Sequence, residues 1–400
     1  MVKQGYKQTE IGVIPEDWEV MELGEVFDLK QGVQIGVENQ FFTEKIGLRR
    51  FIRIIDLTQA DTPPRFVSLE NYIGALISDE DLFMVRYGAS AGTIGINYNG
   101  ILANNLFKLI PKKIIKSHFF KFQFQDIYDK IQEMSGSSAM PALNFTSLKK
   151  LPLVLPPLAE QEAIATALSD ADAGIERLEK LIAKKRLIKQ GAMQELLTPK
   201  EDWEVKKLGE VFKLKQGVQC AIENQLLTPR DGYIRFIRIV DLTQNNIEAR
   251  YIKDPGFEHH IFDKDLFMVR YGAPGVVGFG HNGVIANNLF RLIPKFEIIA
   301  LFFKYVFDYL KSYLEEISSS STMAALNFTT LNNIDLHYPK SLSDQERIAT
   351  ILSDMDAELE ALEQKLSKAR QIKQGMMQEL LTGRVRLCAP MNKQPQDVVP

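Results

Sequence analysis

The sequence predicts an α+β protein. Two similar globules are each followed by one long helix, and the two helices pair as an antiparallel coiled coil about an approximate two-fold axis. Three observations lead there. The first is repetition: "DLFMVRYGA" stands at Asp81–Ala89 and again at Asp265–Ala273. The second is that this repeat belongs to a domain-sized duplication. "EDWEV" at Glu16–Val20 returns at Glu201–Val205, "KQGVQ" at Lys30 returns at Lys215, and "RFIRI" at Arg50 returns at Arg235. "NNLF" at Asn104 returns at Asn287, and "ALNFT" at Ala142 returns at Ala325. The period is much longer than the roughly 20–50 residues of a solenoid repeat. The third is a heptad pattern in the text that follows each globule.

Within each globule, short apolar runs are punctuated by Gly, Asn and Pro. "RFIRIIDL", "DLFMVRYG" and "NLFKLIP" read as strands bounded by turns. "IIKSHFFKFQFQDIYDKIQEM" and "IIALFFKYVFDYLKSYLEEI" read as apolar helices. From Ala159 to Leu197 there is no proline, and Ile164, Leu168, Ala171, Ile175, Leu178 and Ile182 are spaced alternately by four and three. The second copy runs Ile348, Leu352, Met355, Leu359, Leu362, Leu366 and Ala369. A helix of about 39 residues is roughly 58 Å long. Ser343 with Glu346 spells a capping box for the second helix. A helix with a single apolar seam needs a partner, and each helix is the obvious partner of the other. Antiparallel pairing puts the globules at opposite ends, and parallel pairing puts both at one end. Independent packing of each helix on its own globule is the remaining alternative. The expected boundaries are 1–156 and 199–339 for the globules, 157–198 and 340–385 for the helices, and 386–400 for a disordered tail.

Composition narrows the function. The chain has 400 residues, is 45% hydrophobic and 25% charged, and has formal net charge -3. A DNA partner would therefore require basic residues concentrated on one face, or charge from a second protein. Its 2 cysteines, Cys220 and Cys388, have neither zinc-site nor disulfide-framework spacing. The opening "MVKQGYKQTE" has no apolar core, and no run approaches the roughly 18 apolar residues of a membrane span. We expect a cytoplasmic protein with no membrane partner. No glycine-rich cofactor loop, Walker spelling or amino-methyltransferase Asn/Asp-Pro-Pro-aromatic stretch occurs, so no cofactor, metal or catalytic residue is expected in this chain. "PKEDWEVKK" faintly echoes a nuclease carboxylate–lysine spelling but reads as a strand start. The His259–His260 pair reads as a surface loop.

Two related heads on a rigid rod suit duplex DNA, whose backbone has dyad symmetry, so that two heads can meet two oppositely oriented half-sites. A two-headed protein adaptor would have the same outline. The order globule, long helix, globule, long helix resembles the specificity subunit of type I restriction–modification systems. The stretches that carry the resemblance are "YKQTEIGVIPEDWEVMELGEV", "LPLVLPPLAEQEAIATALSDADAGIERLEKLIAKKRLIKQGAMQELLT" and "SLSDQERIATILSDMDAELEALEQKLSKARQIKQGMMQELLTGRVRL". It covers nearly the whole chain, to about Leu387. The resemblance implies that each globule is a target recognition domain reading half of a split DNA sequence. It implies that the helices hold the spacing and dock two modification subunits. Those subunits would methylate adenine with S-adenosylmethionine, with restriction subunits as a later addition. A scaffold without a DNA role, or the specificity part of a type II-like fused complex, are the alternatives.

Phosphate contacts position a protein on DNA, and base contacts specify. Arg86-Tyr87 and Arg270-Tyr271 precede glycines that would let a loop approach a groove, or else make a tight turn with a locally paired arginine. Gln31, Gln34, Gln216 and Gln219 occupy polar loops, and glutamine can read adenine. Arg50, Arg53, Arg235 and Arg238 could line a positive groove or pair with Asp56 and Asp241. Asn104-Asn105 and Asn287-Asn288 read as turns. Lys45, Arg49, Arg65, Arg230 and Arg250 lie in or beside the stretches that differ between the copies, where discrimination is expected. Gly191 and Gly375 interrupt the helices, at about 1 kcal/mol each relative to alanine. Their repetition points to a helix crossing or a docked partner. The basic run Lys180, Lys184, Lys185, Arg186 and Lys189, echoed by Lys365, Lys368, Arg370 and Lys373, reads as a solvated face or a partner or phosphate contact.

Overall fold

The computed structural model describes residues 3–59, 61–70, 72–136, 141–244, 247–319 and 325–388. The chain divides into two compact units, one of residues 1–179 with 365–400, the other of residues 180–364. Each unit holds one globule and a segment of both long helices, Leu158–Leu197 and Leu342–Leu380.

In the first unit an antiparallel sheet has the order Phe27–Gln31, Leu106–Pro111, Leu82–Val85, Ile94–Gly95. A second sheet has the order Arg65–Ser68, Leu48–Ile52, Gly100–Leu102, Leu76–Ile77, with its central pair parallel. The second unit repeats both sheets, as Phe212–Gln216, Leu289–Pro294, Leu266–Val269, Val277–Gly278 and as Arg250–Lys253, Tyr233–Ile237, Gly283–Ile285, His260–Ile261. The apolar helix read in each copy breaks once. Ser117–Asp126 is followed by Tyr128–Met134, and Ala300–Tyr309 by Lys311–Ser319.

The repeated stretch now has a physical reason. Alternate side chains of a strand point to opposite faces. Leu82 and Met84 enter the core built on Trp18, Phe27 and the helix phenylalanines, whereas Phe83 and Val85 enter a separate cluster with Ile52, Ile77 and Leu102. Leu266 and Met268, against Phe267 and Val269, divide between two cores in the same way. A strand buried on both faces cannot alternate with polar residues, and that accounts for "LFMV" in both copies.

The long helices contribute to these cores. Ile164, Leu168, Met377, Leu380 and Leu381 pack into the first, and Leu197, Ile348, Ala349 and Leu352 into the second. The pairing is antiparallel within each unit. In the first, Lys373 meets Asp172 at 2.5 Å and Arg370 meets Glu179 at 2.6 Å. In the second, Lys185 meets Glu358 at 2.6 Å, Arg186 meets Glu363 at 2.6 Å, and Lys189 meets Asp356. Much of the basic run is therefore consumed in ion pairs between the helices, an outcome that neither sequence reading anticipated. Each unit also ties this pair to its globule. Lys121 reaches Asp172 at 3.3 Å, and the Tyr305 hydroxyl donates to Asp356 at 2.8 Å. Burial first, and then the Asp356 carboxylate, push the Tyr305 hydroxyl well above the ordinary tyrosine range.

Three expectations need correction. The second helix is capped by Ser341, whose hydroxyl accepts from the Asp344 N–H at 3.3 Å, and not by Ser343. Gly191 and Gly375 do not mark a helix crossing, because a Cβ at either would meet nothing within 4 Å beyond the helix's own backbone. Arg386, placed by the sequence in the tail, is anchored by Asp17 at 2.9 Å and Glu160 at 2.6 Å, and the tail from 389 onward lies outside the described residues.

Candidate nucleic-acid interface

Four of the repeated stretches converge at one place in each globule. In the first, Arg86 leaves the end of its strand and its Nε donates to the Leu143 carbonyl at 3.3 Å. Its guanidinium lies 4.3 Å from the Phe145 ring and 4.9 Å from the Tyr87 ring. Its other arm donates to Gln31, whose amide in turn donates to the Asn104 carbonyl at 2.6 Å. Asn104 then donates to Gln34 at 3.3 Å. The second globule repeats the arrangement. Arg270 donates to the Leu326 carbonyl at 3.1 Å and to Gln216 at 3.5 Å, between Phe328 at 4.5 Å and Tyr271 at 4.8 Å. Gln216 donates to the Asn287 carbonyl at 2.7 Å. Gln219 is exposed. Arg86 and Arg270 thus clamp four loops together. Sequence reading missed Phe145 and Phe328, although the repeated "ALNFT" was the available signal.

Gly32 and Gly217 sit where these loops touch backbone. A Cβ there would strike the Ala103 and Leu102 carbonyls, or Ala286 and Ile285, with no flexible group able to yield. Gly88 and Gly272, both at φ +87°, turn the chain after each clamping arginine through a region that side chains disfavour. Gly32→Ala is expected to destabilise the first unit by about 2 kcal/mol or more, as overpacking does, read as a lower urea midpoint. An unchanged midpoint would mean that the loop simply moves aside.

The arginines sort into paired and open. Arg50 reaches Asp56 at 3.3 Å and Arg53 at 3.0 Å, and the Asp56 side chain is 0% exposed. Arg235 and Arg238 hold Asp241 at 2.6 and 2.9 Å. Burial opposes ionisation of Asp241, but hydrogen bonds from Arg238 and Arg235 outweigh it and hold the carboxyl below its ordinary range. These four arginines are bound to their own aspartates, the second of the two roles the sequence allowed. Arg49 reaches only the Leu48 carbonyl, at 3.1 Å. Arg65 stacks on Phe42 at 3.5 Å, and Arg230 lies 5.9 Å from Tyr233. Among the described residues no carboxylate pairs with Arg49, Arg65, Arg230 or Arg250, and Lys45 is exposed. In the His259–His260 pair, His260 bonds to Asp254 at 2.8 Å, and that bond holds the Asp254 carboxyl low.

Residues 15–186 and 200–371 each match the family model described as the type I restriction modification DNA specificity domain. The chain is 24% identical over 405 residues to the type I restriction enzyme MjaVIII specificity subunit of Methanocaldococcus jannaschii, covering 94% of each. It is 21% identical over 397 residues to the EcoBI specificity subunit of Escherichia coli, covering 89% of this chain and 83% of that one. Its fold resembles the crystal structure of a type I restriction-modification S subunit from M. genitalium, with TM-score 0.65 and 17% identity over 91% of this chain and 96% of the other. With both halves matched in this way, the chain belongs to the type I restriction–modification specificity subunit family, whose part in the complex is DNA recognition.

Proposed function

We propose that each globule reads one half of a bipartite duplex target. The long helices fix the spacing of the halves and dock two modification subunits, which methylate adenine with S-adenosylmethionine held in those subunits. Restriction subunits add to that assembly, and this chain itself performs no catalysis and works in the cytoplasm. The observation that carries the reading is the doubled arrangement of the globules. Each has the same arginine-clamped loops and also carries arginines that no carboxylate among the described residues neutralises. Such cations suit phosphates and base edges. Docking is supported by a surface that occurs once per unit. Ile188 is 46% exposed and Ile372 is 53% exposed, each three residues before a glycine with open space above it. Residues three apart share a helix face, so Ile188 with Gly191, and Ile372 with Gly375, offer an apolar strip where a partner's backbone can come close.

The test is co-expression with the cognate modification subunit and mapping of methylated adenines across host DNA. A split motif with one modified adenine per half, on opposite strands, is the expected result. A stable complex that leaves no motif would instead favour a two-headed protein scaffold.

A further inference from the structure

The chain contains its own comparison, because two copies of one globule have diverged within a single molecule. We infer that the edge hairpin of the sheet with a parallel central pair is the specificity element of each globule. Phe42 with Arg65, and Leu227 with Arg250, are on this view the positions that make the two half-targets differ. The inference rests on the DNA-reading function proposed above.

The arginines of each globule divide into engaged and open ones. The first globule has Arg49, Arg50, Arg53, Arg65 and Arg86. Arg50 and Arg53 are held by Asp56, and Arg86 is spent on Gln31, the Leu143 carbonyl and two rings. Among the described residues only Arg49 and Arg65 are held neither by a carboxylate nor in the clamp, and both lie on the hairpin formed by Leu48–Ile52 and Arg65–Ser68. In the second globule Arg235, Arg238, Arg270 and Arg291 are all engaged. Arg230 and Arg250 remain, at the entrance to and on the hairpin Tyr233–Ile237 with Arg250–Lys253. Duplication thus preserved open cations at one place while closing off the others.

An exposed apolar residue stands at the same place in each copy. Phe42 is 64% exposed and Leu227, its counterpart, is 52% exposed. Each follows a residue that pairs with the hairpin's outer strand, Phe41 with Phe66 and Leu226 with Tyr251. An exposed apolar side chain beside an arginine with free N–H groups suits a base edge in a groove, with apolar contact to a thymine methyl or sugar and donors to acceptor atoms. The Arg65 guanidinium lies 3.5 Å from the Phe42 ring centroid, and that contact limits the directions its fork can take. Leucine offers Arg250 no such face. Arg65 thus has a ring contact that Leu227 cannot give Arg250 at the equivalent site, and different base preferences follow.

The experiment exchanges the residues in the full chain, as Phe42→Leu and Leu227→Phe, co-expressed with the modification subunit. Each substitution places a side chain that the other copy already accommodates. Methylated motifs are then compared with the wild type. Phe42→Leu is expected to change base preference about tenfold at one or two positions of a single half-target. Leu227→Phe should do so only in the other half, and Arg65→Ala should loosen the same positions as Phe42→Leu. Wild-type preferences retained at every position by both exchange variants would overturn the assignment of the hairpin, as would an equal change in both halves. A wild type with no bipartite motif would overturn the DNA reading itself, and this inference with it.

Discussion

Replacing Arg386 by alanine is expected to destabilise the first unit by about 3–5 kcal/mol, the range for removing one partner of a buried ion pair. Glu160 is 1% exposed and receives both the Trp18 indole N–H at 2.9 Å and the Arg386 guanidinium at 2.6 Å. The same guanidinium makes a two-pronged contact with Asp17, at 3.0 and 2.9 Å. Burial works against the charge on Arg386, yet the two carboxylates outweigh it and raise the guanidinium above its already high range. Alanine would leave the Glu160 carboxylate buried with one neutral donor. Urea unfolding followed by Trp18 fluorescence in a Trp203→Phe background gives the readout. Arg386→Lys should recover only part of the loss, because an ammonium cannot reproduce the paired fork. A loss below about 1 kcal/mol, the scale of an exposed pair, would show that water replaces the contact. The Tyr6 hydroxyl also donates to the Gly383 carbonyl at 3.0 Å. Loss of the Arg386 contact should accordingly release the segment after Leu380, and faster hydrogen exchange there would report it.

The second large effect is expected at Asp241. Its side chain is 4% exposed and accepts from Arg235 at 2.6 Å, from Arg238 Nε at 2.9 Å and from the Arg238 backbone N–H at 2.8 Å. Asp241→Asn keeps the shape but turns a charged acceptor into a group that presents N–H to two guanidiniums. Each hydrogen bond to a charged group contributes about 1.5–3 kcal/mol, so a loss of about 3 kcal/mol is expected at neutral pH. The pH dependence follows from the direction of the shift. The folded-state carboxyl titrates below its ordinary 3.8, so its stabilisation is complete above that value and fades as pH falls through the lower folded value. The difference between wild type and variant should therefore be flat around neutrality and shrink in acid. A difference that persisted unchanged well below 3.8 would place the effect in packing rather than charge.

Some of this protein was legible in local text. The duplication, the strand "LFMV" and the apolar seam of both helices can be read without a structure, because periodicity and burial on both faces impose themselves on neighbouring residues. Every seam residue from Ile164 to Ile182 is at least half-buried. Gly32 and Gly217 sit against backbone carbonyls, a close approach that their polar-loop spelling did not announce, whereas the repeated Gly191 and Gly375 face open space and not a helix crossing. The letter is the same in both settings, and the atoms that come near it belong to distant parts of the chain or to none of it.

The arginines mark the boundary between the two kinds of knowledge. By itself the sequence determined that basic residues recur at matching places in two copies of one globule, and that two long helices need each other. Only the tertiary structure decided which arginines are consumed, by Asp56, by Asp241 or between aromatic rings, and which stay open on the hairpin. It also decided that Arg386 is held by Asp17 and Glu160 and does not lie in a tail. Whether a cation is neutralised depends on side-chain direction and on partners far away in sequence, as Glu160 is from Arg386. Coulomb and hydrogen-bond energies fall off with distance in space, and a linear text does not record that distance.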